Sequence, residues 1–420
     1  MITRRELLAG IPLVALGQTG TRPIQNARPK LAGVVTVYHK FSHAQHIIDR
    51  FLDGYGWNGA YHHPPMDLVA LYVNQVGADD LSRERAARFP TMKLYPTIAE
   101  ALTQGGSKLA VDGVVLVGEH GDYPYNEKHQ HLYPRWEFFQ QIVKVFESSG
   151  RSVPVFNDKH LSWNWEWARQ MYDTSRRMGF PFMAGSSLPV TWRTPSLEMP
   201  AGARVREAVC VFYGGLDSYD FHALEAVQCM VERRNGGESG VKWVQAYRGE
   251  DFWKAHQEGI WSKDLVEAAL CRSHTLKPAR EGFNDIFPTV ADMRRLVKDP
   301  AAYHYEHLDG VKCTVLMMSG LVEDFNFAAR LEGRAQPFST QMYLPMPPAR
   351  TSLANFFSPL VNNFEKMYLT GRPTCPVERT LLTTGLTAAG MESLYRKQRY
   401  ETPHLNIAYQ PTKESTYWRT

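Results

Sequence analysis

An apolar run from Val34 to Tyr38 is followed by His39-Lys40-Phe41-Ser42-His43 and then by a helical pattern from Ala44. This stretch constrains the chain more than any other. A strand, a tight turn and a helix at the front of an alternating series is how a dinucleotide-binding domain begins. Its turn is normally G-x-G-x-x-G, because only glycine lets the backbone approach a pyrophosphate closely. Here two histidines, a lysine, a phenylalanine and a serine fill the turn. The scaffold points to a nicotinamide protein, and the loop argues against an ordinary one.

The alternation continues downstream. Asp67 to Asn74, Asp112 to Val117, Val153 to Phe156 and Phe182 to Ala184 read as further short buried strands. Helical patterns lie between them at Ser82 to Ala87, Thr97 to Leu102, Pro134 to Ser148 and Trp163 to Met178. Short apolar strands separated by helices imply parallel pairing with helical crossovers. Pro134 suits a helix start, and Gly150 and Gly179 suit helix ends.

The second half changes character. Arg206 to Tyr213 and Val241 to Tyr247 read as strands flanking a helix over Asp220 to Arg233. Residues 250–300 read as helix or loop, rich in tryptophan and charge. Four strands follow, at Tyr303 to Leu308, Val311 to Met318, Phe325 to Glu332 and Thr340 to Leu344. The first two are joined at Asp309-Gly310, a strong hairpin signal. Helices over Ala354 to Leu369 and Val377 to Tyr395 close the chain. The expected fold class is an α/β Rossmann-like domain over 31–187. An α+β domain with an open, predominantly antiparallel sheet follows over 188–420.

Residues 1–30 read differently. Thr3-Arg4-Arg5-Glu6-Leu7-Leu8 precedes an apolar stretch to Leu16, which resembles a twin-arginine export signal. The stretch is short for a membrane span. The expected destination is the periplasm or cell envelope, with the cytoplasm as the alternative if the signal is not used. The five cysteines stand singly and form no C-x-x-C pair. A net charge of +4 over 420 residues, without basic runs, gives no support for nucleic-acid binding.

This order of elements, with Pro376-Val377-Glu378-Arg379-Thr380-Leu381 near the end, resembles the Gfo/Idh/MocA oxidoreductase family. Two further segments carry the resemblance. Asn157-Asp158-Lys159-His160 stands where that family has E-K-P, with Lys159 matching its lysine. Gly214-Gly215-Leu216-Asp217-Ser218-Tyr219-Asp220-Phe221-His222 stands where it has D-x-G-x-H, with His222 matching its histidine and Ser218 falling where its aspartate would. The resemblance implies NAD(P) chemistry on sugars, inositols or related polyols, with some relatives performing hydrolysis or elimination. It also implies dimers or tetramers formed through the exposed face of the second-domain sheet. The missing glycines weigh against conventional NAD(P) binding, as does Asn74 where a ribose-binding acid would stand.

Ligands in such folds gather beyond the C-terminal ends of the parallel strands. His39, Lys40 and His43 follow the first strand there. Glu119, His120, Asp122 and Tyr123 follow the third, with Lys128, His129 and His131 further on. Asp158, Lys159 and His160 follow the fourth. Lys159 and His222 are the candidate catalytic pair. A near-neutral histidine accepts the proton of a carbinol, or the α-proton beside a ketone, while lysine stabilises the oxyanion. His39, Ser42, His43, Asn74 and Glu119 are the candidate cofactor contacts. Glu119, His120 and Asp122 form an alternative divalent-metal set, for a metal-assisted glycoside hydrolase or lyase. A third alternative is a non-catalytic carbohydrate-binding envelope protein. The expected ligand in each case is a sugar-like small molecule.

Overall fold

The structure, a computed structural model, describes residues 28–283, 286–350 and 353–419. The export-like segment before Arg28 lies outside them. The first half runs β1 (Lys30–Val35), α1 (His43–Leu52), β2 (Tyr55–Trp57), β3 (Ala60–His62), β4 (Asp67–Val73), α2 (Ser82–Arg88), β5 (Lys93–Leu94), α3 (Ile98–Thr103), β6 (Gly113–Val117), α4 (Arg135–Ser149), β7 (Val155–Asp158), α5 (Trp165–Met178) and β8 (Phe182–Gly185). Its parallel sheet has the order β5-β4-β1-β6-β7-β8. The crossovers leave β1 in opposite directions, so β1 and β6 flank the topological switch point of a Rossmann-type fold. Near-continuous burial along β1, β6 and β7 explains why those runs lack alternation. Gly150 and Gly179 end α4 and α5 in the left-handed conformation, as expected.

The second half runs β9 (Arg193–Thr194), β10 (Val205–Phe212), α6 (Tyr219–Val231), β11 (Val241–Arg248), α7 (Glu250–Glu258), α8 (Lys263–Leu270), α9 (Val290–Leu296), β12 (Ala301–His307), β13 (Lys312–Met317), β14 (Phe325–Leu331), β15 (Phe338–Met342), α10 (Phe357–Thr370), α11 (Val377–Arg396) and β16 (Tyr400–Glu401). The sheet order is β16-β11-β12-β13-β10-β14-β15-β9, and every pair is antiparallel except β10 with β13. The β12–β13 hairpin turns at Asp309-Gly310 as expected, with Gly310 at φ +89°.

Alternation along these strands separates two cores. Ala208, Cys210 and Phe212 of β10, with Tyr303 and Tyr305 of β12, belong to the main core, on the side where α6 and α11 pack. Val209, Val211, Ala302 and Leu316 face a second core with Phe252, Trp253, Trp261, Leu265 and Met293. The tryptophan-rich segment is therefore a helical layer over the outer face. The face that the resemblance assigned to oligomer formation is covered by the chain's own helices.

The chain also returns to its first sheet. Phe364 of α10 stacks on Phe156 of β7 at 4.0 Å, and Tyr368 donates to the Val114 carbonyl at 2.6 Å. Near the C-terminus the Trp418 ring stacks on Trp192 (3.6 Å) and on Trp57 (4.7 Å). This contact ties the β2–β3 hairpin to the segment before β9. Among the described residues no helix is long and apolar enough to cross a membrane. All five cysteines are free.

Candidate functional site

β1, β6 and β7 end side by side, and the loop after each holds a non-glycine residue in the left-handed region: Phe41 (φ +66°), His120 (φ +67°) and Lys159 (φ +61°). Side-chain-bearing residues enter that region at a cost of about 1–2 kcal/mol. Lys159 is held there by its backbone N–H, which donates to Gly185 O at 3.0 Å. Gly185 is itself at φ +124°, and a Cβ there would lie 2.7 Å from Glu225 Oε1. Glu225 is buried on α6 and accepts from the Ser186 N–H (2.6 Å) and Thr380 Oγ1 (3.1 Å). Burial raises its carboxyl to about 7. Gly185→Ala is expected to lose about 1–3 kcal/mol in urea unfolding. Unchanged stability would show that this clamp is not tight.

A charged cluster lies beneath the strand ends. Lys159 Nζ donates to Glu119 Oε1 at 2.8 Å, and Arg135 Nη2 donates to Glu119 Oε2. Arg135 Nη1 reaches His160 Nε2 at 2.9 Å. The Arg135 side chain is fully buried, and Lys159 and Glu119 are 2% and 4% exposed. Burial alone would raise the Glu119 carboxyl. The Lys159 ammonium and the Arg135 guanidinium outweigh it and hold the group well below the usual carboxylate range.

Histidines surround the cluster. His43 Nδ1 bonds Asp158 Oδ2 at 2.7 Å, and the His120 ring lies 5.2 Å from His43 and 6.0 Å from His39. The Tyr219 ring lies 6.0 Å from Lys159 Nζ and 5.7 Å from the His222 ring, linking the candidate pair. Burial, then the neighbouring His43, brings His120 to about 3. Burial, then the Lys159 charge, holds His222 well below its ordinary value of 6.5. Both rings are neutral near pH 7. Buried polar atoms without a protein partner on the cluster and its neighbours include Asp158 Oδ1, His120 Nε2, His160 Nδ1 and His222 Nδ1.

The neutral His222 links folding to pH. Below pH 6.5 the unfolded chain binds a proton at this residue and the folded chain does not. Its share of stability is therefore complete above 6.5 and falls by about 1.4 kcal/mol per pH unit below it, down to the folded pKa. Urea curves of His222→Asn should accordingly vary less with pH than wild type by one proton across that window. Parallel curves would refute the buried neutral state.

The other candidates are dispersed. Ser42 caps α1, accepting from Gln45 N (3.1 Å) and donating to His39 O (2.7 Å). His39 Nδ1 lies 3.0 Å from Lys40 O. His46 stacks on Phe357 at 4.9 Å. Asp122 does not join Glu119 and His120. Its backbone pairs twice with the Gln75 side chain (2.8 and 2.9 Å), and its side chain is exposed. Glu119 is already committed to two cations, and among the described residues no group of three potential ligands could hold a metal ion. The metal alternative, and with it metal-assisted hydrolysis or elimination, is without support. Asp220 accepts from backbone N–H groups and from the Tyr303 hydroxyl (2.9 Å) rather than orienting His222.

Arg135, Tyr219 and Gln75 are site residues that the sequence reading missed. Arg135 carried a signal, since it shares the apolar face of α4 with Phe138, Phe139 and Ile142.

The dinucleotide crevice over β1 does not fit its customary occupant. Tyr38 is buried in the turn with its hydroxyl on Asp49 (2.5 Å). Gln75 and Asp122 pair across the end of β1. Tyr123 donates to Asn74 Oδ1 (2.6 Å), and Asn74 Nδ2 donates to Tyr72 (2.9 Å). Asn74, at the ribose position, therefore has both ends of its amide engaged.

A cleft of about 1120 Å³ lies elsewhere. Lys128 and His129 line it, with Gly214, Tyr247, Arg248, Met391 and Tyr395 among others. These two first-half residues therefore do not face the Lys159 cluster. Two of its charged groups, Lys128 and Arg248, are paired with Glu392 and Asp299.

No protein-family model and no curated protein matches the sequence. Solved structures match its fold. GenD2 from gentamicin A biosynthesis, in complex with NAD, aligns over 93% of this chain and 99% of its own, with 13% identity and a TM-score of 0.55. The myo-inositol dehydrogenase from Lactobacillus casei, in complex with NAD(H) and myo-inositol, aligns over 92% and 99%, with 12% identity and a TM-score of 0.52. The myo-inositol 2-dehydrogenase from Lactobacillus plantarum aligns over 89% and 99%, with 9% identity and a TM-score of 0.52. The chain thus shares their two-domain architecture over most of its length.

Proposed function

We propose that this chain is a divergent Gfo/Idh/MocA protein that performs acid–base chemistry on a keto-sugar or keto-cyclitol at Lys159 and His222. The observation that carries the reading is the set of partnerless polar atoms around the Lys159 ammonium. Asp158 Oδ1 can only accept a hydrogen bond, so its ligand must bring a donor. A neutral imidazole nitrogen serves either role. A hydroxyl beside a carbonyl meets these demands, and a bare carboxylate does not. The left-handed backbone at Phe41, His120 and Lys159 further supports a functional site there.

In this reading Lys159 donates a hydrogen bond to a substrate carbonyl oxygen, and Asp158 accepts one from a neighbouring hydroxyl. His222 Nδ1 removes the α-proton. The C–H bond breaks and its electron pair becomes the enolate, whose oxygen Lys159 stabilises. His222 is a weak base in the resting site, and the enolate supplies the counter-charge that lets it hold the proton. Return of that proton gives isomerisation or epimerisation, and departure of a β-substituent gives elimination.

The test is proton wash-out. Keto-sugars and inososes are incubated with the protein in deuterium oxide and followed by NMR. Exchange of an α-proton in at least one of them is expected. If none exchanges faster than with the Lys159→Met/His222→Asn double variant, the reading fails. The Thr3–Leu16 pattern supports export to the envelope. Retention in the cytoplasm of an otherwise active full-length chain would count against it.

A further inference from the structure

A dinucleotide lying across the end of β1 needs backbone space at the turn, a cleft between the loops after β4 and β6 for the adenosine, and a free acceptor for the ribose hydroxyls. This chain has spent all three on itself. Tyr38 and Ser42 are buried where glycines would stand, and Leu81 N–H bonds Tyr38 O at 2.7 Å. The Phe41 N–H is taken by Gln45 Oε1 at 2.6 Å, and Ser42 Oγ caps the third helical amide. The cleft is bridged by the Gln75–Asp122 pair of hydrogen bonds and by the Asn74–Tyr123 bond. Thr36 Oγ1 donates to Glu119 O (2.7 Å) and Gln75 N to Thr36 O (2.8 Å), tying the three loops together.

We propose that the loops after β4 and β6 form a latch over β1 that replaces the dinucleotide, so that the first domain is a Rossmann scaffold working without a nicotinamide cofactor. The latch bonds are exposed, and each is worth about a factor of five in an equilibrium. Giving up the two Gln75–Asp122 bonds and the two made by Asn74 weakens a dinucleotide by roughly 10²- to 10³-fold. The proposal deepens the acid–base reading above, yet it is tested by binding alone, so failure of proton exchange leaves it standing.

The experiment titrates the full-length protein calorimetrically with NAD⁺, NADH, NADP⁺ and NADPH in turn. No saturable binding is expected up to about 1 mM. Saturable binding below that concentration, or nicotinamide released from the purified protein in native mass spectrometry, overturns the proposal. Amide hydrogen exchange reads the latch itself. The Asp122 N–H should be protected in wild type, exchange at least roughly tenfold faster in Gln75→Ala, and be indifferent to NADH. A latch amide that exchanges freely in wild type, or protection of residues 36–43 by NADH, overturns it equally.

Discussion

His222→Asn lowers α-proton exchange by roughly 10²- to 10⁴-fold while the protein keeps its fold, because the variant retains shape and polarity but removes the group that holds the proton. Lys159→Met is expected to fall at least as far, since the enolate oxygen loses the ammonium that stabilises it while the methionine fills the same volume. Two readouts separate chemistry from structure. His222→Asn should bind a non-exchangeable polyol as well as wild type does, and its urea midpoint near pH 7 should be little changed. The acid limb of the wild-type kcat/KM profile should lie well below pH 6.5, because burial and then Lys159 hold the free-enzyme imidazole neutral. Full exchange by either variant would remove the replaced residue from the mechanism.

Glu119→Gln is expected to be the most destabilising change in the site, at about 3–5 kcal/mol. Glu119 is the anion shared by Lys159 and Arg135, and its loss leaves two buried cations without it. Arg135→Met should cost less, because Lys159 still balances the carboxylate. The ordering is the test. If Arg135→Met proves the worse of the two in urea unfolding at pH 7, charge balance is not what holds the cluster. The pH dependence has a definite sign. The folded carboxyl is held below its ordinary value of 4.5, so its contribution is complete above that value and is lost as pH falls through the folded pKa. The wild-type advantage over Glu119→Gln should therefore be flat from pH 5 upward and shrink only in strong acid.

Local chemistry made much of the architecture readable. Asp309-Gly310 gave its hairpin, Gly150 and Gly179 their helix ends, and the unbroken apolar runs a parallel sheet. The β2–β3 hairpin turns on Asn58-Gly59, both at positive φ. That signal is equally plain, but it is easy to pass over beside strands of three residues. The site was readable as an inventory and not as pairings. Glu119, His120 and Asp122 look like metal ligands because sequence records proximity along the chain. It cannot show that two cations, one from the loop after β7 and one from α4, have already claimed Glu119, or that Asp122 is turned toward Gln75. Lys159 and His222 stand at motif positions far apart in sequence, and the structure brings both to the Tyr219 ring. Arg135 was hidden because a buried arginine is identified by its partners, which lie on other elements.

The return of α10 to the first sheet sets an order of events during synthesis. A ribosome completes β8 at Gly185, yet Phe156 and Val114 wait for Phe364 and Tyr368, and the hairpin at Trp57 waits for Trp418. The N-terminal half therefore cannot finish its core while it is being made. Any product truncated before residue 357 leaves the Rossmann sheet with bare apolar surface for chaperones and proteases to find.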